Sequence, residues 1–386
     1  MITLLSRRLF LGGSAALAGA IASVSAVPLG HAAATSTTTS TALPHFGPKP
    51  GVAKLNANEN PYGPSELALA AMAAAGAQGA YYVGDSIPRL KAMIAERNRV
   101  DPALVSLSAG SSGVLTYLAI AASRKGKILA PDLYWDTTVK KAVEQGGETV
   151  QLPKTADLSI DLDAMYAAID DSVAMVQITN PNNPTGMVLP PDALREFCRK
   201  ASGKTLVLVD EAYNELTDHP EKNSMIDLVR EGRSVAIART FSKIYGLAGM
   251  RVGYLIAPPA ITAEVNRFGL GDYAMNQAGV AAAIASYDDF KFLEYSKARI
   301  VEGREMVLAA VQQVGLEALP SGTNFLFVNL GALNAEEFRV KMAARNVLVR
   351  GIYRDYTNWS RVSMGRIEDL ERYVAALPAV LDELKA

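Results

Sequence analysis

Ser234-Val235-Ala236-Ile237-Ala238-Arg239-Thr240-Phe241-Ser242-Lys243 is a short apolar run that closes on two hydroxyls and a lysine. A continuous apolar run of this length, without polar alternation, reads as a strand buried on both faces. Residues 173–179, 205–210 and 252–257 have the same character, rich in Val, Ile and Leu. Between two of them lies an amphipathic stretch, 191–201, introduced by Pro190-Pro191-Asp192, a helix start. Strand and helix patterns in alternation predict an α/β fold, a mostly parallel sheet covered by helices. In such sheets ligands bind at the carboxyl ends of the strands. Near Ala274 the pattern changes: a long helical region over about 288–314, strand-like segments at 324–329, 347–350 and 361–364, and a terminal helix from about Glu368. That reads as a second, smaller α+β domain.

Several chemistries are excluded early. The net charge of −1 offers no footprint for nucleic acid. Cys198 is the only cysteine, so neither an internal disulfide nor a cysteine zinc cluster can form. His31, His45 and His219 are the only histidines, which leaves little material for a metal site. Ser6-Arg7-Arg8-Leu9-Phe10-Leu11, an Ala/Gly-rich apolar run to about Ala26, and Ala32-Ala33-Ala34 read as a twin-arginine signal peptide over residues 1–34. Cleavage after Ala26 is the alternative. A membrane anchor fits less well, because Gly12, Gly13, Ser14, Gly19, Ser23 and Ser25 dilute the run. The expectation is export, already folded, to the periplasm. Residues 35–41 then form a polar linker.

The chemistry-bearing residues gather at strand ends. Lys243 follows residues 234–240, where a desolvated amine near a cation is driven towards the neutral, nucleophilic form. Asp210 ends residues 205–210 and opens Asp210-Glu211-Ala212-Tyr213; a carboxylate there suits a protonated ring nitrogen, and equally a helix N-cap. Tyr213 offers a hydroxyl to the same ring. Asn180-Pro181-Asn182-Asn183-Pro184-Thr185-Gly186 is a shaped turn after residues 173–179. Gly110-Ser111-Ser112-Gly113 precedes a helical stretch, 114–123, and makes an anion cup or simply a cap. Tyr134 or Trp135, after Ala130-Pro131-Asp132, offers a ring for stacking or for core packing.

Together with Asn58-Glu59-Asn60-Pro61-Tyr62-Gly63-Pro64 and the continuation Ile244-Tyr245-Gly246-Leu247-Ala248-Gly249-Met250-Arg251, these segments resemble the class I/II, fold-type I pyridoxal-phosphate-dependent aminotransferases, in the histidinol-phosphate aminotransferase-like branch. The resemblance runs from about Leu55 to the C-terminus. It implies a large pyridoxal-phosphate-binding domain over 61–275 and a small domain over 276–386, preceded by a linker and N-terminal arm over 35–60. It implies the cofactor pyridoxal 5′-phosphate and a ping-pong Schiff-base transamination between an amino acid, or an amino-acid-like phosphate, and a 2-oxo acid. By that resemblance Lys243 is the Schiff-base lysine and acid/base, Asp210 the partner of the ring nitrogen, and Asn183 and Tyr213 the donors to the ring oxygen. Ser111, Ser112, Thr240, Ser242 and Arg251 form the phosphate cup, and Tyr134, with Trp135 as substitute, the stacking ring. Tyr82, or Tyr81, reaches the phosphate from the neighbouring subunit of a homodimer. Arg361 takes the substrate carboxylate, Asn183 also borders the substrate, and Arg350 matches an arginine used for a substrate phosphate, with Arg354 nearby. A pyridoxal-phosphate decarboxylase or lyase of the same fold is the alternative. The amino donor is left open.

Overall fold

The structure is a computed structural model that describes residues 46–386. The expected signal peptide and the linker at 35–41 lie outside the described residues. Among the described residues the first strand is the two-residue β1 (Ala53–Lys54). Seven strands then build the main sheet: β2 (Val105–Ser108), β3 (Lys127–Pro131), β4 (Thr149–Leu152), β5 (Val173–Thr179), β6 (Leu206–Asp210), β7 (Val235–Thr240) and β8 (Gly253–Ile256). Their order is β2-β8-β7-β6-β5-β3-β4. All neighbouring pairs are parallel except those of β8, which is antiparallel to β7 and to β2.

The apolar runs become buried strands because both sheet faces are covered; every residue of β2, β6 from Val207, β7 and β8 is buried. The register then fixes the site. Thr179 pairs with Asp210, Asp210 with Ala238, Thr240 with Gly253, and Gly253 with Ser108. The ends of β2, β5, β6 and β7 therefore share one edge with the beginning of β8. Because β8 runs backwards, Arg251, two residues before it, is delivered to the same edge as Lys243.

The helix expected over 114–123 begins earlier, at Ser111, and spans Ser111–Ser123. Gly110, at φ +75°, makes the turn from β2, so Ser111 and Ser112 stand in the first helical turn rather than in a preceding loop. Gly253 passes close beneath: a Cβ on it would lie 2.1 Å from the Ser111 nitrogen.

A second, antiparallel sheet contains β9 (Glu317–Ala318), β10 (Phe325–Asn329) and β12 (Trp359–Ser363), flanked by helices Phe290–Gln313 and Ile367–Lys385. The strand expected over 347–350 is shorter. β11 (Val347–Leu348) pairs in parallel with β1, from the expected N-terminal arm, while Arg350 forms a separate antiparallel bridge with Arg361. Helix Gln277–Tyr287 packs on helices Glu66–Gly76 and Ser86–Asn98. The change of packing partners thus follows this helix rather than falling at residue 275.

Candidate active site

A cavity of about 710 Å³ opens at the shared edge of the main sheet. That volume suits a flat cofactor together with a small substrate. Lys243, Asp210, Tyr213, Asn183, Ser111, Ser112, Tyr134, Thr240, Ser242, Arg251, Arg350 and Arg361 all line it, as do Trp135 and Arg354. Of the residues expected in the site, Tyr82 and its alternative Tyr81 do not border it; they are 81% and 70% exposed on the surface.

At one end the hydroxyls converge. Arg251 donates from Nη2 to Ser112 Oγ (3.1 Å) and from Nη1 to the Ala248 carbonyl (2.8 Å), and its Nη1 lies 3.5 Å from Ser242 Oγ. Thr240 Oγ1 donates to Ser242 Oγ at 2.9 Å. The N-terminus of helix Ser111–Ser123 borders this end, where a phosphate is favoured. A Cβ on Gly110 would lie 2.2 Å from Arg251 Nη2, so glycine is what admits the guanidinium.

Deeper in, Asp210 closes β6 and is buried, with one hydrogen bond, from the Ala212 N–H at 3.2 Å. Burial pushes its carboxyl up to about 7, against the pull of that N–H and of Lys243. Burial, reinforced by Arg361, lowers the Lys243 amine to about 8, while Asp210 and Glu59 oppose the shift. Lys243 Nζ donates to the Asn58 carbonyl at 3.1 Å. Tyr213 Oη receives two amide donors, Asn183 Nδ2 at 3.2 Å and Asn58 Nδ2 at 3.1 Å.

The far wall is cationic. Arg350 and Arg361 face each other across a hydrogen-bonded antiparallel bridge, N–H to carbonyl at 2.9 and 3.1 Å, so their side chains leave on one side. Arg361 Nη1 donates to Asn183 Oδ1 (2.7 Å) and Nη2 to the Asn56 carbonyl (3.1 Å). Among the described residues no carboxylate lies within ion-pair distance of either arginine. Aromatic faces stand there instead: Tyr353 lies 5.5 Å from Arg350 Cζ and 5.4 Å from Arg361 Cζ, and Phe325 lies 5.3 Å from Arg361 Cζ. Arg354 differs. It is tied to Asp136 and to Gln151 Oε1 and lies over the Tyr134 ring at 5.6 Å.

Sequence reasoning assigned no role to Asn58, Tyr353 or Asp136, which also line the cavity. Asn58 stood in a quoted motif, but nothing local to it announced a link to Tyr213, 155 positions on.

The donor set fits pyridoxal phosphate: an anion cup with a cation, a buried carboxylate, a buried amine of lowered pKa, and a hydroxyl beside them. A model described as aminotransferase class I and II matches residues 50–377. "Histidinol-phosphate aminotransferase 1" of Cupriavidus pinatubonensis is 35% identical over 335 residues, which is 86% of this chain and 89% of that protein. A putative histidinol-phosphate aminotransferase from Erwinia carotovora atroseptica superposes with a TM-score of 0.81 at 30% identity, covering 86% of this chain and 96% of that one. The enzyme of Sinorhizobium meliloti, solved with pyridoxal-5′-phosphate, gives 0.79 at 28% identity, covering 86% and 92%. The protein is a pyridoxal-phosphate-dependent transaminase of fold type I. It belongs to the class I and II aminotransferase family, with histidinol-phosphate aminotransferases among its relatives. The decarboxylase or lyase alternative is not favoured by these relatives.

Proposed function

We propose that this transaminase prefers amino donors bearing two anionic groups, one held by Arg361 and the other by Arg350. A single observation carries the reading: two guanidiniums side by side across one antiparallel bridge, both bordering the cavity, with aromatic rings beside them and, among the described residues, no carboxylate within ion-pair distance. Like charges directly opposite in a ladder are destabilising. A pair without a close ion-pair partner among the described residues is relieved when a substrate brings two anions, and the guanidinium fork suits a carboxylate or a phosphate equally. Arg354 is outside this role because Asp136 already neutralises it.

When bound, pyridoxal phosphate supplies a carbonyl carbon for an amine and an electron-poor ring that stabilises negative charge at the substrate Cα. The residues around it divide the work. Ser111, Ser112, Thr240, Ser242 and Arg251 hold the phosphate, and Tyr134 packs on the ring. Asp210 keeps the ring nitrogen charged, and Asn183 and Tyr213 donate to the ring oxygen. Lys243, buried and easily deprotonated, would take the proton from the substrate Cα and deliver it to the cofactor carbon that carries the amino nitrogen.

A second copy of the chain completes the site. Leu67, Leu69, Tyr81, Tyr82, Leu270 and Tyr273 are exposed, and Tyr82 packs edge-on to Tyr273 at 5.4 Å. Exposed apolar side chains of this size suit an interface, and Tyr82 is then free to reach the partner's cavity. Residues 1–34, with Arg7-Arg8, are read as the signal for folded export to the periplasm. Retention of the Arg7→Lys, Arg8→Lys variant in the cytoplasm supports it; unchanged fractionation opposes it.

The test of function is a donor panel with 2-oxoglutarate: histidinol phosphate, an acidic amino acid and a neutral aromatic one. Dianionic donors should show the higher kcat/KM. Arg350→Ala should raise their KM about 10- to 100-fold, the worth of one charge-assisted hydrogen bond, and leave the neutral donor within about twofold. Preference for the neutral donor, with no effect of Arg350→Ala, would overturn the reading.

A further inference from the structure

Residues 55–60 follow β1, and at their end Asn60 Nδ2 donates to the Ile244 carbonyl, next to Lys243, at 2.8 Å; Asn58 lies midway. Leu55 N–H donates to the Leu348 carbonyl and Ser363 N–H to the Leu55 carbonyl, both at 2.8 Å, so the segment is pinned to the second sheet. At Asn58 the backbone is left-handed, φ +52°, a region where asparagine is among the few side chains tolerated. The Asn58 N–H donates to Ser363 Oγ at 2.9 Å, and Ser363 Oγ donates to Asn58 Oδ1 at 2.5 Å. This bond fixes the amide so that Nδ2 points to Tyr213 Oη. Ser363 lies two residues beyond Arg361 on β12, hence on the same strand face. Asn58 is buried and borders the cavity.

A tyrosine hydroxyl has one proton to give and lone pairs to receive with. Asn58 and Asn183 both donate to the Tyr213 oxygen and occupy its accepting side. Its own proton is thereby left to a ligand in the cavity. On the other flank, the Asn58 carbonyl accepts from Lys243 Nζ. That carbonyl faces the amine because the backbone at Asn58 is left-handed.

We propose that Asn58, stapled by Ser363, is a positioning residue of the transaminase: its amide turns the Tyr213 hydroxyl towards the cofactor, and its main-chain carbonyl holds the free Lys243 amine. The inference rests on the roles proposed above for Tyr213 and Lys243.

Asn58→Gly separates the two functions, because glycine keeps the left-handed backbone and the carbonyl while deleting the amide. In the holoenzyme kcat should fall about tenfold, the worth of one neutral hydrogen bond, with the donor KM within about twofold. The pH midpoint of the bound cofactor's absorbance should rise, since a ring oxygen with a weaker donor holds its shared proton more tightly. In a Tyr213→Phe background the same substitution should cost nothing further and shift nothing further. Asn58→Ala should lose more than Asn58→Gly, because alanine resists a positive φ and displaces the carbonyl. Ser363→Ala should move kcat and midpoint in the same direction by less, and it carries the same cycle if the Asn58 variants do not fold. A wild-type kcat and midpoint in Asn58→Gly, or an equal cost in the Tyr213→Phe background, would overturn the amide's role; equal Asn58→Ala and Asn58→Gly would overturn the carbonyl's. Lys243→Ala is the control: turnover there would sink the underlying assignment itself, a result distinct from any of these.

Discussion

With the cofactor removed, Lys243 should lose its proton near pH 8, not at the ordinary 10.5. Burial is the largest cause, and Arg361 the next, with Arg251 acting in the same sense; Asp210 and Glu59 oppose them. The consequence is large. At pH 7.5 an amine of pKa 8 is about one-quarter neutral, whereas one of 10.5 is about one-thousandth neutral. Lys243 is thus a few hundred times better supplied with the nucleophilic form. The signs of two perturbations follow. Arg361→Gln removes a cation that disfavours the charged amine, so the midpoint should move up. Asp210→Asn removes an anion that favours it, so the midpoint should move down. Competitive acetylation of the cofactor-free protein with trace acetic anhydride reads this directly, with the Lys243 peptide quantified by mass spectrometry against the exposed Lys200. Labelling should climb sigmoidally as pH rises through about 8. A wild-type midpoint above about 10, or a downward move in Arg361→Gln, would refute the reasoning.

Other consequences concern the cup, the interior beneath the site and the surface. Gly110→Ala places a Cβ 2.2 Å from Arg251 Nη2 at a positive φ; displacement of the guanidinium should weaken cofactor binding about 10- to 100-fold, and an unchanged Kd by absorbance titration would contradict it. Arg239 donates to Glu211 from Nε (3.0 Å) and Nη2 (2.8 Å), both buried just behind the ends of β6 and β7. Arg239→Met should therefore destabilise the fold by about 3–5 kcal/mol in urea unfolding, because it leaves a buried carboxylate without its cation; a loss below about 1 kcal/mol would count against that. Tyr82→Phe should weaken cofactor binding several-fold without changing the sedimentation of the dimer, and wild-type affinity would argue that the hydroxyl reaches no cofactor.

Local pattern made much of the site legible. Residues 173–179 and 191–201 match the observed strand and helix, because an unbroken apolar run and a 3.6-residue stripe each report their own burial. Since parallel strands share a carboxyl edge, placing Asp210 and Lys243 at strand ends was enough to bring them together. Helix Gln277–Tyr287 was harder to assign: it is rich in alanine, without a marked apolar stripe, so its sequence does not say which helices it packs against.

The amino-acid sequence by itself determined the fold class, the central strands β5 to β8 of the main sheet and the identity of the main cofactor-facing groups, because these depend on residue type and short-range period. Tertiary structure alone decided what depends on register between distant segments. The reversed β8 brings Arg251 to the edge occupied by Lys243, and one antiparallel bridge sets Arg350 beside Arg361. Asn58 meets Tyr213 and Ser363 only because residues 55–60 are pinned to the second sheet. Pairings of this kind are energetic outcomes of the whole packed chain, with no local period to announce them.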